Sequence, residues 1–424
     1  MVGALALIGV LLGVVGFIRY FGDAPAWRRH PWELLYRTIQ LVSLNFNTFD
    51  KPLDWTLQVA RLLMPALAVY AAVKGLAALY FEQLQTLRVR LFAHGHTIIC
   101  GLGQKGLLLA RRLRERGERV VVIEQDEEND LIKAARNAGC VVLLGDATEP
   151  YVLERAGIDR ARHIVAVCRD DGLNAEIAVR SRDFAAVRGI PLHCVCHIFD
   201  ARLWSLLKEQ GMLPGKAQNL RLDFRNVYKE GAAELLKHDP GFPAPAAGTC
   251  PNALVVGIGR MGESLLVELA RRWHHLRGSG RDRICLTMVD RLANAKRDFL
   301  LSEYPDLADT WNLIPIELDI NSPGFQEGGF LLDSGAHGSI QRAYVCLDDD
   351  SLGLMAALRI QHQLEVRGRH VPIFVRTRHQ GGLASLLRSV DDPTCPPECV
   401  RAFGLLDHTC KPELWLDESA TAPL

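Results

Sequence analysis

The chain has 424 residues, 49% of them hydrophobic, with 49 basic and 49 acidic side chains; this length exceeds one ordinary core and fits two domains of roughly 150 residues plus a smaller module. A formal net charge of zero supplies no overall field toward DNA or RNA, so no nucleic-acid partner is expected. Eleven scattered cysteines without a repeating spacing read as reduced cytosolic thiols rather than a disulfide framework.

Met1 to Ile18 carries no charged side chain. About 18 to 20 apolar residues cross a bilayer as a helix, so a spanning helix is predicted over about 2–20. No basic n-region or clean cleavage signature accompanies it, which favours retention over removal. Gly9 and Gly13 form a G-x-x-x-G pair, which lets helix backbones approach closely.

Next, Trp32, Leu35, Ile39, Val42, Phe46 and Phe49 recur at steps of three and four. That spacing predicts an amphipathic segment over 32–49, open to three readings: a re-entrant pore helix, an interfacial helix or a packed turn. Potassium filters expose backbone carbonyls in a T-V-G-Y-G type loop, and no glycine occurs from Asp23 to Lys74. A filter of that type cannot be placed here.

A second apolar stretch is interrupted by Asp54, Arg61, Pro65 and Lys74. Its best span is about 58–74, where Arg61 and Lys74 lie near the ends and can snorkel to headgroups. Leu76, Leu79, Leu84, Leu87 and Leu91 then approximate helical spacing in a connector over 75–93, which completes a membrane region of residues 1–93. Arg19, Arg28, Arg29, Arg37 and Lys51 would draw the inter-span loop to the cytosol. Nucleotide-binding domains downstream need cytosolic ligands, and this argument is weighted above loop charge, placing both termini inside.

A first α/β domain is expected over 94–239. His96 to Cys100 reads as a buried strand, followed by Gly101-Leu102-Gly103-Gln104-Lys105-Gly106 and a helix over 107–116. In such a G-x-G-x-x-G loop the first glycine permits a tight turn, the second lets the backbone approach a pyrophosphate, and the third allows close helix-to-strand packing. Phosphates then face the helix N-terminus. Val120 to Ile123 forms the next strand and Glu124 closes it, where a carboxylate accepts from ribose hydroxyls and disfavours a 2′-phosphate. Lys105 reads equally as a phosphate contact or a solvated loop lysine. Further strand ends lead into Gly145-Asp146-Ala147-Thr148 and Cys168-Arg169-Asp170-Asp171, at the sheet edge where α/β folds bind ligands.

These residues, together with Glu149-Pro150 and Leu173-Asn174, resemble the RCK or Trk-type potassium-transport nucleotide-binding (TrkA-N) domain family. The resemblance covers roughly 94–239. It implies a domain that binds NAD(H), ATP or ADP, assembles as dimers or rings, and gates potassium channels or transporters. It further implies that Gly101, Gly103, Gly106, Glu124, Asp146 and Thr148 contact the nucleotide.

A proline, alanine and glycine linker over 240–251 marks a boundary, and the pattern restarts in a second domain expected over 252–390. Gly257, Gly259 and Gly262 form its loop and Asp290 ends its next strand. His163 to Gly189 aligns without gaps on Arg342 to Gly368, with Asp171 on Asp350. The counterpart of the Gly145 turn is read as Glu317-Leu318-Asp319-Ile320, which lacks the glycine and the threonine. Arg260 replaces Gln104 and would either aid a pyrophosphate or pair on the surface. A fold can persist without the function it hosts elsewhere, so the second domain is expected to be occupied or empty on nearly even terms.

Residues 391–424 read as a tail. Cys395, Cys399, His408 and Cys410 invite a zinc reading, but two prolines separate the first pair and no second paired knuckle follows; no metal site is assigned. No catalytic constellation is visible. The expected architecture is two tandem Rossmann-like doubly wound parallel sheets behind two transmembrane helices, in the cell (inner) membrane with cytoplasmic nucleotide-binding domains. The expected function is a nucleotide sensor that gates or regulates ion transport, with NAD(H) or an adenine nucleotide in the first domain. Its expected partners are the bilayer, ions and further copies of the chain in a dimer or tetramer. The alternatives are a membrane-anchored NAD-dependent oxidoreductase and a structural or signalling anchor with a degenerate nucleotide fold.

Overall fold

A computed structural model of the chain describes residues 2–22, 25, 30–43, 52–79, 87, 89, 94–187, 191–200, 203, 219–239, 242, 250–277, 282–331, 339–392 and 399–416. The chain divides into two compact units, residues 1–87 and 88–424.

The first unit is helical: α1 (Val2–Tyr20), α2 (Pro31–Gln40) and α3 (Trp55–Leu79). Its glycines are used within the chain. A Cβ at Gly9 would lie 2.8 Å from Met64 Sδ on α3, and one at Gly13 would lie 2.5 Å from Thr38 Cγ2 on α2. Among the described residues one helix, Trp55–Leu76, is long and apolar enough to cross a membrane, with mean hydropathy 1.5, and the apolar run Leu5–Tyr20 is shorter. The pair of spans expected from the sequence is therefore met by one helix on length and composition.

In α2 the buried side chains are Leu34 and Thr38, with Leu41 just beyond, whereas Trp32 and Ile39 of the predicted stripe are exposed. The close approach at Gly13 turns Thr38 inward, where its hydroxyl donates to the Leu34 carbonyl at 2.8 Å. Phe46, Phe49 and most of the connector beyond Leu79 lie outside the described residues.

The second unit holds two parallel sheets. The first comprises β1 (Thr97–Cys100), β2 (Val120–Glu124), β3 (Val141–Leu144), β4 (His163–Ala166), β5 (Leu192–His197) and β6 (Leu220–Arg225), in spatial order 3-2-1-4-5-6. Helices follow the strands: α4 (Gln104–Glu115), α5 (Leu131–Asn137), α6 (Pro150–Arg155), α7 (Asp171–Val187) and α8 (Val227–Lys237). Helices on both faces require strands that are apolar throughout, and β1 and β5 are buried at every residue. The order reverses between β1 and β4, which creates a crevice at the carboxyl ends of the strands.

The second sheet repeats this plan. It contains β7 (Asn252–Val256), β8 (Ile284–Asp290), β9 (Trp311–Glu317), β10 (Arg342–Val345), β11 (Ile373–Thr377), β12 (Arg388–Ser389) and β13 (Val400–Gly404), in order 12-13-11-10-7-8-9. Its helices include α9 (Arg260–Arg277), α10 (Ala293–Glu303), α11 (Pro323–Glu327) and α12 (Asp350–Val366). Short β12 is an added edge strand.

The segment expected as a tail is part of the fold. Val400–Gly404 pairs with β11, and α13 (Leu405–Thr409) and α14 (Pro412–Leu416) follow. Trp415, 1% exposed, lies in the core of the first domain with Leu102, Leu107, Leu113 and Val195. Arg112 on α4 donates to the carbonyls of Asp407 and Cys410 at 2.9 and 3.1 Å.

Candidate functional site

At the crevice of the first sheet, Gly101 takes φ +99°, a conformation that side chains rarely adopt. A Cβ on Gly106 would strike the carbonyl oxygen of Gly101, so this glycine serves packing. Gly103 differs: no atom lies within 4 Å of where its Cβ would stand, and its φ of −83° suits any residue. It caps α4 without a side chain, leaving free N–H groups at the helix start. Gln104 is exposed at the first turn.

Glu124 closes the crevice. One carboxylate oxygen accepts from the N–H of Leu102 at 2.7 Å and the other from the N–H of Asp126 at 2.9 Å. Each retains accepting capacity. The Nδ2 of Asn129, which sequence reasoning passed over, donates to the Leu102 carbonyl at 3.0 Å. Asp146 accepts from both the N–H and the hydroxyl of Thr148, at 2.8 and 2.7 Å. The carboxylate of Asp171 accepts from the N–H groups of Phe199 and Asp200, at 2.7 and 2.9 Å, and thereby ties α7 to the end of β5. Glycine loop, Glu124, Asp146 and Asp171 thus follow adjacent strand ends of one sheet.

Lys105 is turned toward the seam with the second domain. Its ammonium lies 3.3 Å from His197 Nε2 and 3.9 Å over the ring of Phe199. Burial, with Arg260 adding to it, lowers its pKa to about 8 against the opposing pull of Cys410 and Asp171. The same surroundings hold His197 well below the ordinary imidazole value, burial foremost and then Lys105 and Arg260.

The second cradle repeats the backbone and changes the side chains. Gly257 has φ +84°, a Cβ on Gly262 would strike the Gly257 carbonyl, and one on Gly259 would meet only Asp348 at 3.9 Å. Asp290 accepts from the Ile258 N–H at 2.8 Å, as Glu124 does from Leu102, and also from the Leu292 N–H at 3.0 Å. Here, however, the ammonium of Lys296 donates to Asp290 at 2.9 Å and to the Ile258 carbonyl at 2.5 Å. Burial alone would raise the pKa of Asp290, but the two N–H groups and Lys296 outweigh it and hold it below the usual carboxylate value. Lys296 takes the place of Asn129 and occupies the acid.

The sheet register also corrects one alignment. Glu124 pairs with Leu144 and Asp290 with Glu317, so the Gly145 turn corresponds to Leu318-Asp319-Ile320-Asn321, one residue later than the sequence alone indicated. Asp319 accepts from the Asn321 N–H at 2.8 Å, matching Asp146 and Thr148. The glycine and threonine are absent, but the aspartate is kept.

Arg260 lies 5.0 Å over Phe199 and 5.9 Å over Tyr228 of the first domain. Together with Lys296, Phe299 and Tyr304, these residues line a cavity of about 520 Å³ at the seam between the two Rossmann domains. Phe199 and Tyr228 did not stand out in the sequence, because each meets Arg260 across a distance the motif does not span; Lys296, six residues past Asp290, was passed over.

Comparison with known proteins places this geometry. Residues 97–196 match the model of the TrkA-N domain. The voltage-gated potassium channel Kch of Escherichia coli is 32% identical over 93 residues, 22% of this chain and 22% of that protein. Potassium channel protein 1 of Methanocaldococcus jannaschii is 30% identical over 91 residues, 21% of this chain and 27% of that protein. The chain thus spans about a quarter of the length of these relatives. Among solved structures, GsuK bound to ADP aligns with a TM-score of 0.51 at 16% identity, covering 97% of this chain and 96% of that one. The GsuK channel bound to NAD aligns with a TM-score of 0.52 at 14% identity, covering 97% and 82%. At such identities the likeness is one of fold. Residues 97–196 are thus similar to the TrkA-N domain, and the domain that follows repeats the same Rossmann-like sheet.

Proposed function

We propose that the chain is a membrane-anchored nucleotide sensor of the RCK type that gates or regulates ion transport, its nucleotide bound in the first domain. The observation that carries this reading is the contrast between the cradles. Gly103 faces open space and, among the described residues, Glu124 accepts from backbone N–H groups alone, whereas Lys296 occupies Asp290 in the second cradle. NAD(H), ADP or ATP fits the first cradle: its glycines admit a pyrophosphate, the start of α4 offers N–H groups, and Glu124 accepts from ribose hydroxyls.

Relatives named as potassium channels, and solved structures titled as GsuK with ADP or NAD, support ion transport as the output. One helix of spanning length supports membrane anchoring, with a second span supplied by α1 and the nucleotide domains in the cytosol. Sensing requires ligand contacts that differ between two states of a homo-oligomer, with a typical coupling of about 1–3 kcal/mol.

The test is ion flux through liposomes holding the purified full-length chain, with NAD, NADH, ATP, ADP or no ligand. Flux that changes with one nucleotide, and loses this dependence in Gly103→Asn, is the expected result. Flux indifferent to every nucleotide while binding is intact would overturn gating by this chain alone. Oxidation of bound NADH by a carbonyl substrate would instead establish the anchored oxidoreductase.

A further inference from the structure

His238 caps the end of α8, in the first domain, and faces two groups of the second. Asp391 lies in the turn after β12 and His408 in α13. One ligand atom from each converges within 4.8 Å of the others. The Nε2 of His238 is 3.7 Å from one Asp391 oxygen, and the Nε2 of His408 is 3.6 Å from the other. Both distances exceed a hydrogen bond, so direct imidazole–carboxylate bonding does not explain why the three groups meet.

Their surroundings hold them in place. His408 is 4% exposed, stacks on Phe403 with centroids 4.5 Å apart, and meets His238 edge-on at 5.1 Å. The Gln380 amide donates to Asp391 at 2.9 Å and lies 3.1 Å from His408 Nε2. Among the described residues the Nδ1 of His408 is buried without a hydrogen-bond partner.

We propose that His238, Asp391 and His408 bind a divalent transition metal of the zinc class. Zinc bonds of about 2.0–2.1 Å in a tetrahedral site place ligand atoms about 3.4 Å apart, so ligand atoms that now lie within 4.8 Å of one another draw together on binding, the exposed Asp391 side chain moving most. Two imidazoles and one carboxylate suit zinc, nickel or cobalt, whereas calcium and magnesium take all-oxygen shells. Water, or the Gln380 carbonyl oxygen after a turn of its amide, completes the shell. The ion joins the end of α8 to the β12 turn and α13, stapling the two Rossmann domains. The sequence had drawn His408 toward Cys395, Cys399 and Cys410. Cys410 is not among the converging groups, and Cys395 lies outside the described residues.

The experiment is titration of the chelator-treated full-length chain with Zn²⁺ and Co²⁺, read by equilibrium dialysis, by the cobalt absorption spectrum and by the unfolding midpoint. The parent is expected to bind one equivalent with a nitrogen and oxygen cobalt spectrum, and metal is expected to raise its midpoint. His238→Gln and Asp391→Asn replace the less buried ligands and are expected to keep the metal-free midpoint while weakening binding at least tenfold. His408→Gln should do the same; should it fail to fold, the other two variants decide. Less than a tenth of an equivalent bound by the folded parent would overturn the site. So would binding unchanged in both His238→Gln and Asp391→Asn, or a cobalt spectrum dominated by thiolate charge transfer.

Discussion

Lys105 and Arg260 lie over the same aromatic ring, their charged groups 3.9 and 5.0 Å from the centre of Phe199. Each belongs to one of the two glycine loops, so the two cradles meet at one side chain. A cation over an aromatic face contributes about 0.5–2 kcal/mol, and two cations sharing one ring cannot be independent. A double-mutant cycle on Lys105→Met and Arg260→Met is expected to show a coupling of at least about 0.5 kcal/mol in urea unfolding. Phe199→Leu should abolish that coupling; additivity of the two substitutions in the parent would show that the ring does not link them.

The glycines separate folding from binding. Gly106→Ala and Gly262→Ala drive a methyl group into a backbone carbonyl and are expected to cost about 3 kcal/mol of stability. Gly103→Asn keeps a favourable helix cap and meets open space, so its unfolding midpoint should match the parent while nucleotide affinity falls at least tenfold. Calorimetric titration with NAD and ADP checks this, and parent-like affinity would place the pyrophosphate elsewhere.

The proposal of a single occupied cradle can be tested at Lys296. With its ammonium on Asp290, the parent is expected to bind one nucleotide per chain. Lys296→Ala frees one acceptor on Asp290 and is expected to add a second, weaker equivalent. Stoichiometry measured by equilibrium dialysis decides, and two equivalents in the parent would refute the blockade.

The buried ammonium of Lys105 makes stability depend on pH. Its pKa is about 8 in the folded chain against 10.5 for the free side chain. Between those values the unfolded chain holds more protons, so stability rises with pH across that window. Below about 8 the charged group opposes folding in full. Relative to Lys105→Met, the parent should therefore gain about 1–3 kcal/mol from pH 8 to 10.5. Parallel pH profiles would show the ammonium to be solvated.

Much of the fold was legible because its signals are local. Strand, glycine loop, helix and strand-end acid recur in order, and the gapless alignment of His163 to Gly189 on Arg342 to Gly368 is matched by α7 and α12, each of 17 residues. Compensation inside the repeat was not legible. The Asn174 amide donates to the Cys168 carbonyl, but at the matching place Gly353 has no side chain to do so, and Arg376 donates to Leu347 instead, at 3.0 Å. The turn around Asp319 was misread by one residue because only pairing with Asp290 fixes its register. In α2 the apolar spacing was real, but burial falls on the neighbouring face through Leu34 and Thr38, with Val42 of the stripe packed against the same core. Phe199 and His238 act through partners far along the chain, where no short motif reaches.

The place of Trp415 has a consequence for how the protein is made. It belongs to the core beneath α4, and the Arg112 bond that anchors the same region spans 295 residues. The 176 residues from Asp239 to Trp415 take roughly 9 to 35 s at about 5–20 residues per second of synthesis, and the first Rossmann domain waits that long for the indole that closes it. Until then Leu102, Leu107 and Leu113 lack one wall. The domain that emerges early on the ribosome is finished only after its neighbour has been translated, so a chain cut before α14 would carry an open first domain for chaperones and proteases to find.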